Sequence, residues 1–365
     1  MQTALFVPRI AALGHEMIIF SPHNISGSPL GWEGFRVIPA AKDSYGNDII
    51  VASYRHHEAD LLITLCDVFT LRPSAAALAE VNVAHWTPVD CDPAGEGDML
   101  VLREGHGIPV AMSRFGERVL GAEEGLEPLY VPHGVDTDAF APGPRDEIRE
   151  SLGFPPEMFV IGVCAMNRDP VRKGFAEQMM AFAAFHERHR DSRLMLHTAP
   201  VSEALHLEGL ARRLGIQDVV MFPDQYSYAT GAISREMVAS WYTALDVLSA
   251  CSYGEGFCLP ALEAQACGTP VVATDCSALA ELCGAGWLVA GERHWVNGHG
   301  SWWMRPPVAG ITEAYEAAWE ARQHGEMPGL REQARKFALG YDADVVASEF
   351  WEPCLKQLEA QAKEA

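Results

Sequence analysis

The sequence predicts an α/β protein of two doubly wound domains, with a ligand in the cleft between them. Three observations lead to that class. Apolar runs of strand length alternate with helical segments along most of the 365 residues, which is the pattern of βαβ units around a parallel sheet. The alternation stops at AFAPGPRDEI, a proline- and glycine-rich linker following residue 140, and then restarts. The length also suffices for two domains of ordinary size. The expected boundaries are therefore 1–140 and 141–340, with helical material in 341–365.

In order, residues 2–13 (QTALFVPRIAAL) read as a helix closed by Gly14, with Pro8 awkward inside it. Strands follow at 16–22 (EMIIFSP) and 35–40 (FRVIPA), then a helical segment at 49–57. The runs LLITLC (61–66), VNVAH (81–85), PVAMS (109–113) and LYVP (129–132) read as further strands, with RFGERVLGAE helical before the last. In the second half, strands are expected at 159–165, 193–197, 219–222 and 246–250, separated by helices at 176–189, 205–214 and 234–244. GWLVA (286–290) reads as the final strand, and helical material from Ala309 completes the chain.

Composition narrows the function. Hydrophobic residues make up 48% and charged residues 21% of the chain, the balance of a folded soluble protein. No apolar run reaches the roughly 18 residues of a membrane helix. The N-terminus MQTALFVPRIAALGHE lacks the basic region of a signal peptide, so a cytoplasmic protein is expected. The 27 basic and 49 acidic residues leave a formal charge of −22. That field repels phosphate backbones and argues against nucleic acid as a partner, and an anionic ligand would need its own arginine or lysine. Nine cysteines without a C-x-x-C pair fit reduced thiols better than disulfides or zinc.

The densest signal is residues 253–275, YGEGFCLPALEAQACGTPVVATD. Pro260 suits the first helical position and Gly268 the residue just past the helix end, with Pro270 barring continuation. PVVAT then reads as a buried strand. Glu255 and Glu263 are spaced E-x7-E across the loop and helix start. Carboxylates there can accept bonds from sugar hydroxyls, while the amides of Gly256, Phe257 and Cys258 can face an anion.

This run resembles the donor-binding signature of the retaining glycosyltransferases of family four, which have the two-domain, Rossmann-like B-type (GT-B) fold. LYVPHGVDTDAFAP (129–142) resembles the family's interdomain segment, with His133 where an asparagine is more usual. NRDPVRKGF (167–175) resembles its phosphate loop. The resemblance implies a sugar moved from a nucleotide-diphosphate sugar (UDP- or GDP-sugar) to an acceptor hydroxyl on a glycan, small molecule, lipid or protein. It implies that no other cofactor and no metal is needed. Arg168 and Lys173 would contact the diphosphate, with Arg172 as an alternative contact, and two fixed cations would stabilise the charge that a leaving diphosphate gains. Glu263 would hold the ribose and Glu255 the transferred sugar, within a donor-binding run of Glu255, Gly256, Phe257, Cys258, Leu259 and Glu263. Cys258 stands where G-F-G-L-P would have a glycine, which leaves sugar identity open. His85 or Asp90, in VAHWTPVDCDP, would complete the catalytic set from the first domain. The segment 341–365 would cross back to that domain.

Weaker signals have ordinary readings. Ser113 and Arg114 could line the acceptor side, although helix capping by Ser113 is the simpler role. His56–His57, and His186 with His189, have loose metal-ligand spacing on solvated helix faces. Trp295, Trp302 and Trp303 in WVNGHGSWW could stack on a sugar, but packing of a loop is favoured. The family begins with a strand and a glycine-rich loop, whereas this sequence begins in the first helix. The expectation is a natural start further upstream, or impaired activity. Two other classes compete: a nucleotide-sugar epimerase or phosphorylase-like enzyme on the same fold, and a non-catalytic nucleotide-sugar-binding or scaffold protein. A dehydrogenase is disfavoured because no G-x-G-x-x-G follows an early strand.

Overall fold

The computed structural model describes residues 2–21, 27–39 and 42–364. Pro22 and Ala40, at the ends of the first two expected strands, lie outside the described residues. The chain divides into two compact α/β units. One gathers the described residues of Met1–Gly134, Val296–Ser301 and Ala343–Ala365; the other holds Val135–Trp295 and Trp302–Asp342.

The first unit opens with the helix Gln2–Ala12, which keeps Pro8 inside it. Its strands are β1 (Ile18–Ser21), β2 (Leu30–Trp32), β3 (Phe35–Pro39), β4 (Leu62–Leu65), β5 (Val83–Thr87), β6 (Ile108–Ala111) and β7 (Leu129–Tyr130). They form two sheets, a three-stranded one in the order β1-β3-β2 and a four-stranded one in the order β4-β5-β6-β7. The four-stranded sheet is parallel throughout. β2 departs from the expected βαβ pattern, because it pairs antiparallel with β3 and places Trp32 opposite Phe35. The two residues between them, Glu33 (φ 49) and Gly34 (φ 87), are both left-handed, and such a pair makes the tight turn that suits a twisted hairpin.

Beneath the four-stranded sheet, Val68, Leu71, Leu78, Leu102 and Leu120 are fully buried. On β5, Trp86 is buried against Phe6, His133 and Trp351. Its indole N–H donates to the Val131 carbonyl at 2.8 Å, as a buried polar tip requires. The C-terminal segment therefore belongs to the core of this unit.

The second unit is organised on a six-stranded parallel sheet. Its strands are β8 (Phe159–Cys164), β9 (Ser192–His197), β10 (Val220–Met221), β11 (Val247–Ala250), β12 (Val271–Thr274) and β13 (Gly286–Val289), in the order β10-β9-β8-β11-β12-β13. Strands buried on both faces read as continuous apolar runs, and the four residues of β11 and of β12 are all buried. Helix Phe175–Arg188 places Phe175, Met179, Phe182 and Phe185 against Ile161, Val163, Leu194 and Leu196.

β13 is not the final strand, contrary to the sequence reading. β14 (Glu292–Val296) and β15 (Ser301–Arg305) follow and form a two-stranded sheet. WVNGHGSWW is therefore part of a hairpin and not a loop. Gly300 (φ 61) supplies a left-handed turn residue at its tip. Trp303 is buried, whereas Trp295 is 48% exposed and meets Trp302 edge-on at 5.0 Å.

All nine cysteines are free thiols. Among the described residues, no helix is long and apolar enough to cross a membrane. Nor do three or more His, Cys, Asp or Glu side chains gather to hold a metal ion.

Candidate functional site

In the second unit the chain leaves β8 in one direction through β9 and β10. It then returns to β11, beside β8, and continues through β12 and β13. β8 and β11 thus flank the point where strand order reverses, and ligands of open α/β sheets bind beyond the carboxyl ends of such strands. The loops leaving those ends are residues 165–174 and 251–258, the two stretches singled out in the sequence.

Each loop is fixed by local bonds. After β8, the Asn167 side chain donates to the carbonyls of Ala199 (3.1 Å) and Leu205 (2.9 Å). Asp169 accepts from the amides of Val171 and Arg172, both at 2.7 Å, the turn-forming habit of aspartate. Gly174, at φ 58, then caps the helix Phe175–Arg188. After β11, the Tyr253 amide donates to the Arg172 carbonyl at 2.8 Å, joining the two loops. The Glu255 amide donates to the Ser277 hydroxyl at 3.0 Å. Helix Leu259–Ala266 starts with Pro260 in its first turn, one place later than expected, and ends before Gly268 at φ 77.

Three charged side chains converge there. The Glu255 carboxylate accepts from Lys173 Nζ at 2.5 Å and from Arg172 Nη1 at 3.0 Å. Arg172 also donates to the Gly254 carbonyl at 3.3 Å. Glu255 is 8% exposed. Burial by itself would raise its pKa, but the Lys173 and Arg172 cations reverse that and hold it below the ordinary value. Glu255 is thus an anion locked between two cations.

Arg168 is exposed and makes no ion pair with another described residue, so Arg172 and not Arg168 joins Lys173 at Glu255. The amides of Gly256 and Cys258 make no hydrogen bond to another described residue. Burial pushes the Cys258 thiol up to about 12, with the Glu255 charge adding to the shift, so it is no thiolate nucleophile at neutral pH. Leu259 is the first residue of the helix and Phe257 is buried, edge-on to Tyr341.

Glu263, about one turn along the helix, is 6% exposed. Its Oε2 accepts from the Tyr242 hydroxyl at 3.0 Å, the one hydrogen bond to that carboxylate among the described residues. Burial lifts its pKa to about 7, against the lowering pull of Tyr242 and Arg235. The two glutamates of the E-x7-E spacing therefore sit in opposite electrostatic settings. Glu255 is an ionised partner of cations, and Glu263 is poised near neutrality. Tyr242 escaped the sequence reading because its only signal is being an aromatic residue on a buried helix face.

The first unit holds the other candidates. His85 lies at the centre of β5, not after a strand, and is 0% exposed. Its Nδ1 is 2.9 Å from the Thr64 hydroxyl and its Nε2 has no hydrogen-bond partner. Burial takes its pKa down to about 4, so it is neutral at pH 7. Asp90 is half-buried in the loop beyond β5. Asp92 is exposed and pairs with Arg118 at 3.3 Å. Ser113 caps helix Arg114–Gly121 by accepting from the Gly116 amide at 3.0 Å, and Arg114 stacks on Tyr130 with 3.6 Å to the ring centre.

Residues 159–297, which span the loops after β8 and β11, match the family model described as glycosyl transferases group 1. The chain is similar over 97% of its length to sucrose-phosphate synthase from Thermosynechococcus elongatus, with a TM-score of 0.76, 19% identity and 91% of that chain covered. The fold is that of the GT-B glycosyltransferases. A second structure of this fold, Anabaena HepE in complex with UDP-glucose, aligns with a TM-score of 0.67 and 17% identity, over 88% of this chain and 86% of HepE. Among curated proteins, D-inositol 3-phosphate glycosyltransferase 2 of Catenulispora acidiphila is 37% identical over 188 residues. That alignment covers 48% of this chain and 41% of the relative, so the chain spans less than half the relative's length.

Proposed function

We propose that the chain is a retaining glycosyltransferase that moves a sugar from a UDP- or GDP-sugar to an acceptor hydroxyl. The observation that carries this reading is the meeting of Arg172, Lys173 and Glu255 beyond β8 and β11, within the stretch that matches glycosyl transferases group 1. In a protein of net charge −22, three basic residues in one six-residue loop, 168–173, are a local exception suited to a diphosphate.

In this reading the diphosphate competes with Glu255 for Lys173 and Arg172, while exposed Arg168 closes on it from the same loop. The cations then stabilise the charge that builds on the leaving group as the glycosidic bond breaks. Glu255, released from part of its pairing, accepts bonds from hydroxyls of the transferred sugar, and Glu263 accepts from the ribose. Retention follows if the departing phosphate stays on the face attacked and takes the acceptor proton. Of the pair His85 and Asp90, Asp90 is preferred, because a fully buried imidazole offers no surface to a donor. The acceptor class stays wide, and the name of the Catenulispora relative makes D-inositol 3-phosphate the first to try.

The test is a thermal-shift panel of UDP, GDP, UDP-sugars and GDP-sugars, with transfer to candidate acceptors followed by NMR of the anomeric proton. A ligand at about 100 times its Kd should stabilise by about 2.7 kcal/mol. Lys173→Ala and Glu263→Ala should each remove the shift. If no nucleoside diphosphate raises the melting temperature, the donor-site assignment fails. Binding without turnover would favour a non-catalytic role, and an inverted product anomer would exclude retention.

A further inference from the structure

Glu263 accepts best from two ribose hydroxyls while its carboxylate is ionised and turned the right way, and burial works against the first condition. Helix Leu259–Ala266 brings the carboxyl into the interior beside helix Arg235–Ala244, where Tyr242 is 0% exposed. The Tyr242 hydroxyl donates to Oε2 at 3.0 Å. A carboxylate offers about four lone-pair sites, so this one bond leaves Oε1 open for two vicinal hydroxyls. Tyr242 itself is held rigidly. Its carbonyl accepts from the Thr269 hydroxyl at 2.8 Å, and its ring lies edge-on to Trp241 at 5.1 Å and tilted to Phe140 at 6.2 Å.

We propose that Tyr242 is a positioning residue for nucleotide recognition: its hydroxyl orients the Glu263 carboxylate and keeps it an acceptor, so that the site distinguishes ribose from deoxyribose. This rests on the reading of Glu263 as the ribose contact. The other titratable or charged groups facing the pair are Arg235 on the same helix as Tyr242, Cys267 just past the Glu263 helix, and Cys164 at the end of β8. Arg235 favours the ionised carboxylate, as Tyr242 does. Burial pushes the thiols of Cys164 and Cys267 up to about 12, so both stay neutral near pH 7. Tyr242, its own pKa raised well above 10 by burial, remains a donor throughout.

The sign of the pH effect follows. A bond donated to the charged form lowers the carboxyl pKa. Without it, the pKa of Glu263 moves up from about 7, and the acceptor is lost at a higher pH as the solution is acidified. Tyr242→Phe should therefore shift the acid limb of nucleotide binding upward.

The experiment measures the affinities of UDP, GDP and their 2′-deoxy counterparts between about pH 5.5 and 8.5, a window spanning the pKa of about 7. The wild type should prefer the ribonucleotide, and Glu263→Gln should bring that preference close to unity. Tyr242→Phe should cut it by about threefold to tenfold, the scale of losing one ordinary hydrogen bond. It should have no further effect in the Glu263→Gln background. A merely structural role would weaken ribo- and deoxyribonucleotide equally and leave their ratio intact.

An unchanged ratio and pH limb in Tyr242→Phe, with Glu263→Gln abolishing the preference, would overturn the role of Tyr242 alone. An unchanged preference in Glu263→Gln would instead remove the ribose reading of Glu263, and this inference with it. If the phenylalanine variant does not fold, 3-fluorotyrosine at position 242 keeps the shape with a stronger donor. It must then move the acid limb downward, and a limb that stays in place overturns the proposal.

Discussion

Gly174 ends the phosphate-loop candidate at φ 58, and a Cβ there would lie 2.3 Å from the Cys251 carbonyl oxygen, the backbone leaving β11. Left-handed backbone costs an L-residue about 1–2 kcal/mol by itself, and a contact that short forces the two loops apart. Gly215 is a control, with a similar φ of 70 and nothing within 4 Å of an added Cβ. Gly215→Ala should cost only the conformational part. Gly174→Ala should cost clearly more and should also weaken nucleotide binding, because Lys173 precedes it. Thermal melts of the two variants, with and without UDP and GDP, check this. Equal losses of stability would mean that the loops relax freely.

At the scale of elements, the placement of β11 beside β8 depends on a buried charge network. Asp246, 2% exposed, immediately precedes β11 and accepts from the β8 amide of Val160 at 2.8 Å. It pairs with Arg145 at 2.8 Å, Arg149 at 3.2 Å and Arg322 at 3.6 Å. Arg149 is buried too, and its pKa is lowered by burial against the pull of Asp246. Removing one partner of such a group strands charge in the interior, which costs about 3–5 kcal/mol. Asp246→Ala should lose that much in denaturant unfolding, whereas Lys356→Ala, which breaks an exposed pair with Glu352 four residues away, should lose at most about 0.5 kcal/mol. A small loss at Asp246 would show that water reaches the three arginines. The sequence places Asp246 at the start of a strand, but its partners are scattered over residues 145–322 and only the fold collects them.

The whole molecule carries a formal charge of −22 on 365 residues. Self-repulsion of that size destabilises the compact state and is screened once the Debye length falls from about 14 Å near 0.05 M salt to a few ångströms. The melting temperature should therefore rise as sodium chloride is added up to about 0.5 M, a range in which exposed pairs contribute little. A fall would mean that attractive pairs such as Arg172–Glu255–Lys173 outweigh the repulsion. The diphosphate binding proposed above should weaken over the same titration, since chloride competes for the cations of Arg168, Arg172 and Lys173.

Short-range chemistry let the sequence by itself determine much of this protein. Apolar runs set the strands of the parallel sheets, Pro260 and Gly268 bracket the helix Leu259–Ala266, and the E-x7-E spacing identifies the two acidic positions. Those features depend on neighbours a few residues apart, where backbone geometry leaves little freedom. The hairpin of β14 and β15 is equally local, in the alternation of RHWV and SWWM about the connection 297–300 with its left-handed Gly300, but its tryptophans read as loop packing. Tertiary structure alone decided which cation meets Glu255, since Arg168, Arg172 and Lys173 are equivalent on paper and differ only in where the turn at Asp169 aims them. It also decided that Glu255 is held ionised while Glu263 is lifted towards neutrality, and that His85 is sealed inside β5. Desolvation and pairing are sums over atoms distant in the chain, and no spacing in the sequence encodes them.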